Sequence, residues 1–342
     1  MILIMRLLLF SFLILLSFIV IGQNNTTVLK VKITGNIPEK INYTAPVGGC
    51  YFWNYSNRIQ PDSLGNFTVT INTAKPCFVN IYHADQTHSI VVEPDGVYEL
   101  NINQNKVNID GSINGAQNFY TSLLRMNPRA CDNPISTDTG TVDIIKLKLS
   151  ESLAKELSDL QNIYSSGSIS KDVHELVKFD REVYYKIALA NLASKNLFVT
   201  KNGKEEVSKD MLKLWADAVL SIPLTNSNFL HSTYAYDFLD SYIWFQVCSN
   251  QNIDELNSIR KEFREKNLIH THTLSLARMY LQGDLLEFYM AAYLHLNSFR
   301  ATAELMSLLE SFMVEYPGSN YIPYLKPKMI TIGEKLKLQD LK

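Results

Sequence analysis

The chain has 342 residues, close to half of them hydrophobic, with 32 basic and 34 acidic side chains and a formal net charge of −2. That balance argues against nucleic acid or an anionic membrane surface as a partner, and the densest basic stretch, 260–266, is interrupted by Glu262 and Glu265. The four cysteines, Cys50, Cys77, Cys131 and Cys248, are scattered without C-x-x-C spacing and carry no redox motif.

The N-terminus reads as a signal peptide over residues 1–22. Arg6 supplies its positive region, the apolar run from Leu7 to Ile21 is short for a membrane span, and Val20 and Gly22 suit cleavage before Gln23. The residue after that point is Gln23 and not a cysteine, so a lipoprotein anchor is not expected. Residues 23–342 then suffice for two domains, and no later stretch is apolar and long enough to cross a bilayer.

From Thr26 to Ser112 the pattern is that of short strands. Leu29, Val31 and Ile33 alternate with Lys30 and Lys32, and the strand stops at Gly35; Ile41 and Tyr43 begin another. A turn at 62–66, with Gly65 at its tight corner, leads into the alternating Phe67, Val69 and Ile71. Further strands are predicted at 78–82, at 90–92, from Tyr98 to Ile102 and at 107–111, with a turn at 93–96. About seven strands in so short a stretch predict an antiparallel β-sandwich over 23–112.

Beyond Gly111 the period lengthens, and an α-helical domain of paired helices is predicted over 113–342, making the fold class α+β. A helix is expected over Gln117–Met126, then a loop over Arg129–Thr139. Long helices follow near 142–164, 171–194, 209–221, 229–248, 253–266, 273–281, 284–296, 299–315 and 322–336, punctuated by Gly167, Pro223, Gly283 and Pro317-Gly318. In the second of these, Asp180 alone interrupts an apolar stripe running from Val173 to Leu192. Tyr234, Tyr236, Phe238, Tyr242, Trp244 and Phe245 wrap around a helix, which predicts a buried central helix. No fixed repeat is evident.

Seven histidines, His83, His88, His174, His231, His270, His272 and His295, are the natural place to seek metal or acid–base chemistry. His270 and His272 would share a face only on a strand, and Lys178 stands where His174-Glu175 would need a second histidine for a zinc protease. Neither G-x-S-x-G nor a phosphate-cradling glycine loop occurs. Glu205-Glu206 and the pair Glu304 and Glu310 read as solvated carboxylates. No catalytic, cofactor-binding or metal residue is therefore expected. Cys50 and Cys77, both in the N-terminal region, form a plausible disulfide in an oxidising compartment; free buried thiols are the alternative. Ser63, within Asp62-Ser63-Leu64 at an exposed turn, resembles a short bacterial O-glycosylation signal. Tyr51, Trp53 and Tyr55, at alternate positions, would line one strand face as a glycan platform or point into the sandwich core.

Taken in order, the leader, the strand end at Gly35, Asp62-x-x-Gly65-x-Phe67, the 93–98 turn, the 109–112 strand end leading into Asn118-Phe119, and Tyr316-Pro317-Gly318-Ser319-x-Tyr321 resemble one arrangement. It is the N-terminal part of the exported thiol-disulfide oxidoreductases of the TlpA/ResA-like type common in Bacteroidetes. The resemblance implies a small β-sandwich, often called the DUF4369 domain, a helical region, and then a thioredoxin domain carrying W-C-x-x-C. Lys342 falls about where that domain would begin, so no catalytic cysteine pair is carried over. The expectation is a non-catalytic module of the periplasm or cell envelope that binds a peptide or protein client, or a thioredoxin-like domain. Two alternatives stand beside it: the front part of a disulfide reductase whose enzyme portion lies elsewhere, and a glycan-binding envelope protein.

Overall fold

A computed structural model describes residues 25–52, 57–83, 86–103, 106–111, 117, 119–120, 123, 141–201, 204–250 and 253–340. Among the described residues eight strands come first: β1 (Thr26–Thr34), β2 (Ile41–Thr44), β3 (Asn57–Ile59), β4 (Asn66–Asn72), β5 (Cys77–His83), β6 (Gln86–Val92), β7 (Val97–Asn103) and β8 (Lys106–Gly111). They form two four-stranded sheets, ordered β4-β1-β7-β8 and β3-β2-β5-β6. Leu29, Val31, Ile33, Phe67, Val69 and Ile71 of the first sheet face Val79, Ile81, Ile90 and Val92 of the second across one core. The sandwich is mostly antiparallel, as expected, but β1 and β7 run parallel, with Leu29 opposite Tyr98 and Val31 opposite Leu100.

The turns carry the residues the backbone requires. Gly65 has φ +81°, and a Cβ there would lie 2.2 Å from the Ile33 carbonyl oxygen. In the 93–96 turn the left-handed residue is Asp95, φ 59°. Gly96 is needed for another reason: a Cβ would strike the Tyr98 ring at 2.6 Å. The Tyr98 hydroxyl closes this turn by accepting from the Glu93 N–H at 2.9 Å.

Among the described residues nine α-helices follow: α1 (Val142–Ser165), α2 (Lys171–Lys195), α3 (Lys209–Val219), α4 (Ala235–Asn250), α5 (Ile253–Glu265), α6 (Ile269–Tyr280), α7 (Gly283–Asn297), α8 (Ala303–Glu315) and α9 (Ile322–Asp340). A hairpin, β9 (Phe198–Lys201) with β10 (Lys204–Val207), lies between α2 and α3. α2 is the centre of its half, with Val173, Val183 and Ala190 all fully buried. α4 is the buried aromatic helix that the sequence predicts, with Phe238 and Leu239 fully buried. The architecture is thus α+β, a sandwich followed by helices. Among the described residues no helix is long and apolar enough to cross a membrane.

Strands β5 and β6 of the second sheet are buried on both faces, which explains the near-continuous apolar run from Cys77 to Ile81. Its odd-numbered β5 residues fill the sandwich, while Phe78 and Val91 turn outward onto Leu160 of α1 and Val173, Leu176 and Val177 of α2. Full burial of each such side chain contributes about 1.5–3 kcal/mol.

Several expectations meet residues outside those described: the signal peptide, Trp53 and Tyr55, Cys131, the loop at 129–139 and most of the 117–126 helix.

Candidate functional site

The segment between β2 and β3 joins the two halves. Val47 and Cys50 exchange backbone hydrogen bonds of 2.8 and 3.0 Å, which turns the chain, and the Tyr51 N–H then donates to the Leu230 carbonyl at 2.9 Å. Phe52 is fully buried in the helical core. Its ring stacks on Tyr321 at 5.0 Å and meets Phe288 at 6.4 Å and His295 at 5.3 Å edge-on. Tyr51 is not on a strand and is not solvent-facing: 3% exposed, it accepts from Asn80 Nδ2 at 2.6 Å, and Asn80 Oδ1 in turn accepts from Ser89 Oγ at 2.6 Å. An exposed aromatic platform that includes Tyr51 is therefore ruled out. Two further links complete the junction. The Gln117 amide pairs with both backbone groups of Val91 on edge strand β6, and Ser170, which caps α2 by accepting from Val173 N, donates to Glu93 in the 93–96 turn.

Cys50 and Cys77 are free. The disulfide fails because the thiols belong to different cores: Cys77 lies inside the sandwich, while Cys50 packs on the helical cluster beside Tyr321. Burial pushes the Cys77 thiol up to about 12 despite a hydrogen bond with Thr73, and burial also raises Cys50, with the Asp284 and Glu287 carboxylates adding to the effect. Both are poor nucleophiles. Native, unreduced protein is expected to leave Cys77 unlabelled by a thiol reagent, while in denaturant Cys50 and Cys77 both label without prior reduction. Failure of the pair to label in denaturant until reductant is added would restore the disulfide.

A buried polar cluster surrounds Asp180 and Arg181, both 0% exposed on α2. Asp180 Oδ1 accepts from Ser232 Oγ at 2.9 Å, Thr233 N at 2.7 Å and Thr233 Oγ1 at 2.8 Å, so the lone acid of the apolar stripe caps the approach to α4. Arg181 Nε donates to Glu156 of α1 at 2.7 Å and its guanidinium lies 4.4 Å over the Tyr184 ring. Tyr185 also donates to Glu156, at 2.8 Å. Burial works to neutralise Arg181, but neighbouring Tyr234, Glu156 and Asp180 outweigh it and raise its pKa. Arg181 therefore stays charged, and the cluster clamps α1, α2 and the entry to α4 together. Glu304 behaves similarly: rather than being merely solvated, it is half-buried and accepts from Thr271 N at 2.6 Å in the first turn of α6. Glu310 is exposed.

The histidines separate by environment. On helix α6, His270 contacts Tyr293 Oη at 2.8 Å while His272 stacks on Phe263 at 4.8 Å, so the two diverge. His174 stacks on Tyr164 at 4.6 Å, His231 sits beside Gly49, and His295 abuts Phe52. His83 and His88 alone are brought together, across the β5–β6 hairpin. Burial drives His295 down from 6.5 to about 4, with Lys328 adding to the effect. Its folded pKa is depressed, so its stabilising contribution is complete above about pH 6.5 and is lost as pH falls toward 4. At about 1.4 kcal/mol per unit the loss is roughly 3 kcal/mol. Urea unfolding at pH 7 and pH 4 should show a drop in stability that is smaller in His295→Gln by about that amount; equal drops would refute the assignment.

Ser63 is exposed on its turn, whose first residue Asp62 accepts from Leu64 N and Asn66 N, both at 2.8 Å. Among the described residues no group of three or more His, Cys, Asp or Glu gathers as metal ligands. The chain matches no protein-family model and no curated protein sequence.

Proposed function

We propose that the chain is a non-catalytic binding or scaffolding module of the cell envelope, built like the front part of the TlpA/ResA-like exported oxidoreductases, with a peptide or protein client. Export rests on the leader read at 1–22. The observation that carries the binding reading is apolar exposure on α6 and α8. Met279 of α6 and Val314 of α8 are 63% and 83% exposed, on two helices tied together by the Arg278–Glu315 ion pair. Exposed apolar side chains beside a paired charge suit a protein partner. The buried acids described above act as caps and clamps, which accords with a structural rather than a chemical use of them.

A photo-crosslinking residue at Val314, in native cells, is expected to capture a protein that the same residue at exposed Ser63 does not; equal capture at both would overturn the reading. The intact mass of the mature protein tests the remainder. A mass matching 23–342 supports the stand-alone module and contradicts glycosylation of the turn, whereas a glycan-sized excess over 23–342 that Ser63→Ala removes supports both. A mass larger by a thioredoxin-sized domain would make the chain the front of a disulfide reductase.

A further inference from the structure

The inner face of β5 and β6 is apolar along its length, from Cys77, Val79 and Ile81 on one strand to Ile90 and Val92 on the other. At the hairpin end this pattern gives way to two imidazoles. Ile81 lies opposite His88 and His83 opposite Gln86, so His83 and His88 are diagonal neighbours on one face of adjacent antiparallel strands. Both rings are more than nine-tenths buried, at 9% and 8% exposure. His83 Nδ1 and His88 Nε2 are each buried with no hydrogen-bond partner. One orphaned ring nitrogen inside a protein is costly. Two on diagonal positions call for a common partner, and cross-strand spacing brings imidazoles within reach of one ion.

We propose that His83 and His88 form a two-histidine site for a late first-row divalent cation, of which copper(II) binds most tightly. Imidazole nitrogen is a favoured ligand for copper, nickel and zinc, and copper(II) heads the affinity order. Gln86, half-buried and directly opposite His83, places a carboxamide on the same face. Among the described residues no group of three or more His, Cys, Asp or Glu includes the pair, so the two imidazoles are the ligands on which the site rests. Such a site binds an exchangeable ion rather than a structural one.

The test is copper(II) titration of tag-free mature protein, followed by calorimetry and electron paramagnetic resonance. One saturable equivalent is expected, with hyperfine splitting from two imidazole nitrogens. His83→Gln and His88→Gln should each weaken binding beyond the roughly 10–100-fold that loss of a supporting outer partner brings, and His174→Gln should leave it unchanged. Absence of saturable binding, or binding retained by the folded His83→Gln/His88→Gln double variant, would overturn the site. Should the variants fail to fold, the wild-type spectrum decides: two imidazole nitrogens support the site and fewer refute it.

Discussion

Phe52→Ala is expected to cost about 3–5 kcal/mol in unfolding free energy, the range for removing a fully buried aromatic ring. The residue is 0% exposed and reaches out of the sandwich into a pocket formed by Tyr321, Phe288 and His295, so its loss leaves a void where the two halves meet. The rings around that void are packed in turn, Phe288 and Tyr321 being themselves buried and in edge contact with one another, so collapse around it will be incomplete. Urea denaturation followed by tryptophan fluorescence and by circular dichroism checks the prediction. A loss within about 0.5 kcal/mol, the range of an ordinary surface change, would mean that the two halves do not depend on this contact. Phe198→Ala, on a residue 42% exposed in β9, is the control and should stay within that range. If the junction loosens before either half unfolds, the two probes will give separate transitions in Phe52→Ala and a coincident one in the parent.

Much of this fold can be read from the chain, and the failures have identifiable causes. Alternation in β1, β4 and β7 is legible because one face of their sheet meets water, as Lys30, Thr68 and Glu99 do. The run from Cys77 to Ile81 is legible as a strand but not as a contact with helices, since period-two alternation disappears once both faces are covered. Parallel pairing of β1 with β7 has no local signature; it depends on where the intervening strands go. The β9–β10 hairpin does carry one, because Lys201 pairs with Lys204 across Asn202-Gly203, a dipeptide that favours tight hairpins. Lysines and glutamates around it resemble an interhelical loop. Tyr51 looks like a strand residue by its alternate spacing with Trp53 and Tyr55, but a turn at Gly48-Gly49 redirects it into the junction. Nor does the His83–His88 pair stand out, because a separation of five residues matches no helical ligand spacing and only the hairpin register makes the two neighbours. The apparent flaw in α2, Asp180, becomes intelligible once Ser232 and Thr233 are seen to arrive from the start of α4.

Separating Arg181 from Glu156 should cost more than removing both. Arg181 is fully buried and its partner's side chain is only 16% exposed, so Glu156→Leu strands a positive charge away from water together with the Tyr185 hydroxyl, and Arg181→Met strands a negative one. Each single change is expected to cost about 3–5 kcal/mol. Glu156→Leu/Arg181→Met replaces both members of the ion pair with side chains of similar volume; the Tyr185 hydroxyl then loses its acceptor and Asp180 the cation beside it, a smaller penalty than an ion left without its pair. Asp180 keeps its three donors from Ser232 and Thr233, so the double variant should be markedly more stable than either single one. A double-mutant cycle of urea midpoints measures the coupling directly, and strict additivity would show that the two charges do not depend on one another. The comparison also separates two roles for the cluster. If the double variant keeps parent stability and still captures the crosslinked partner through Val314, the ion pair serves the packing of α1 on α2. If stability returns but capture is lost, the buried charges hold the helices in the arrangement that the partner recognises.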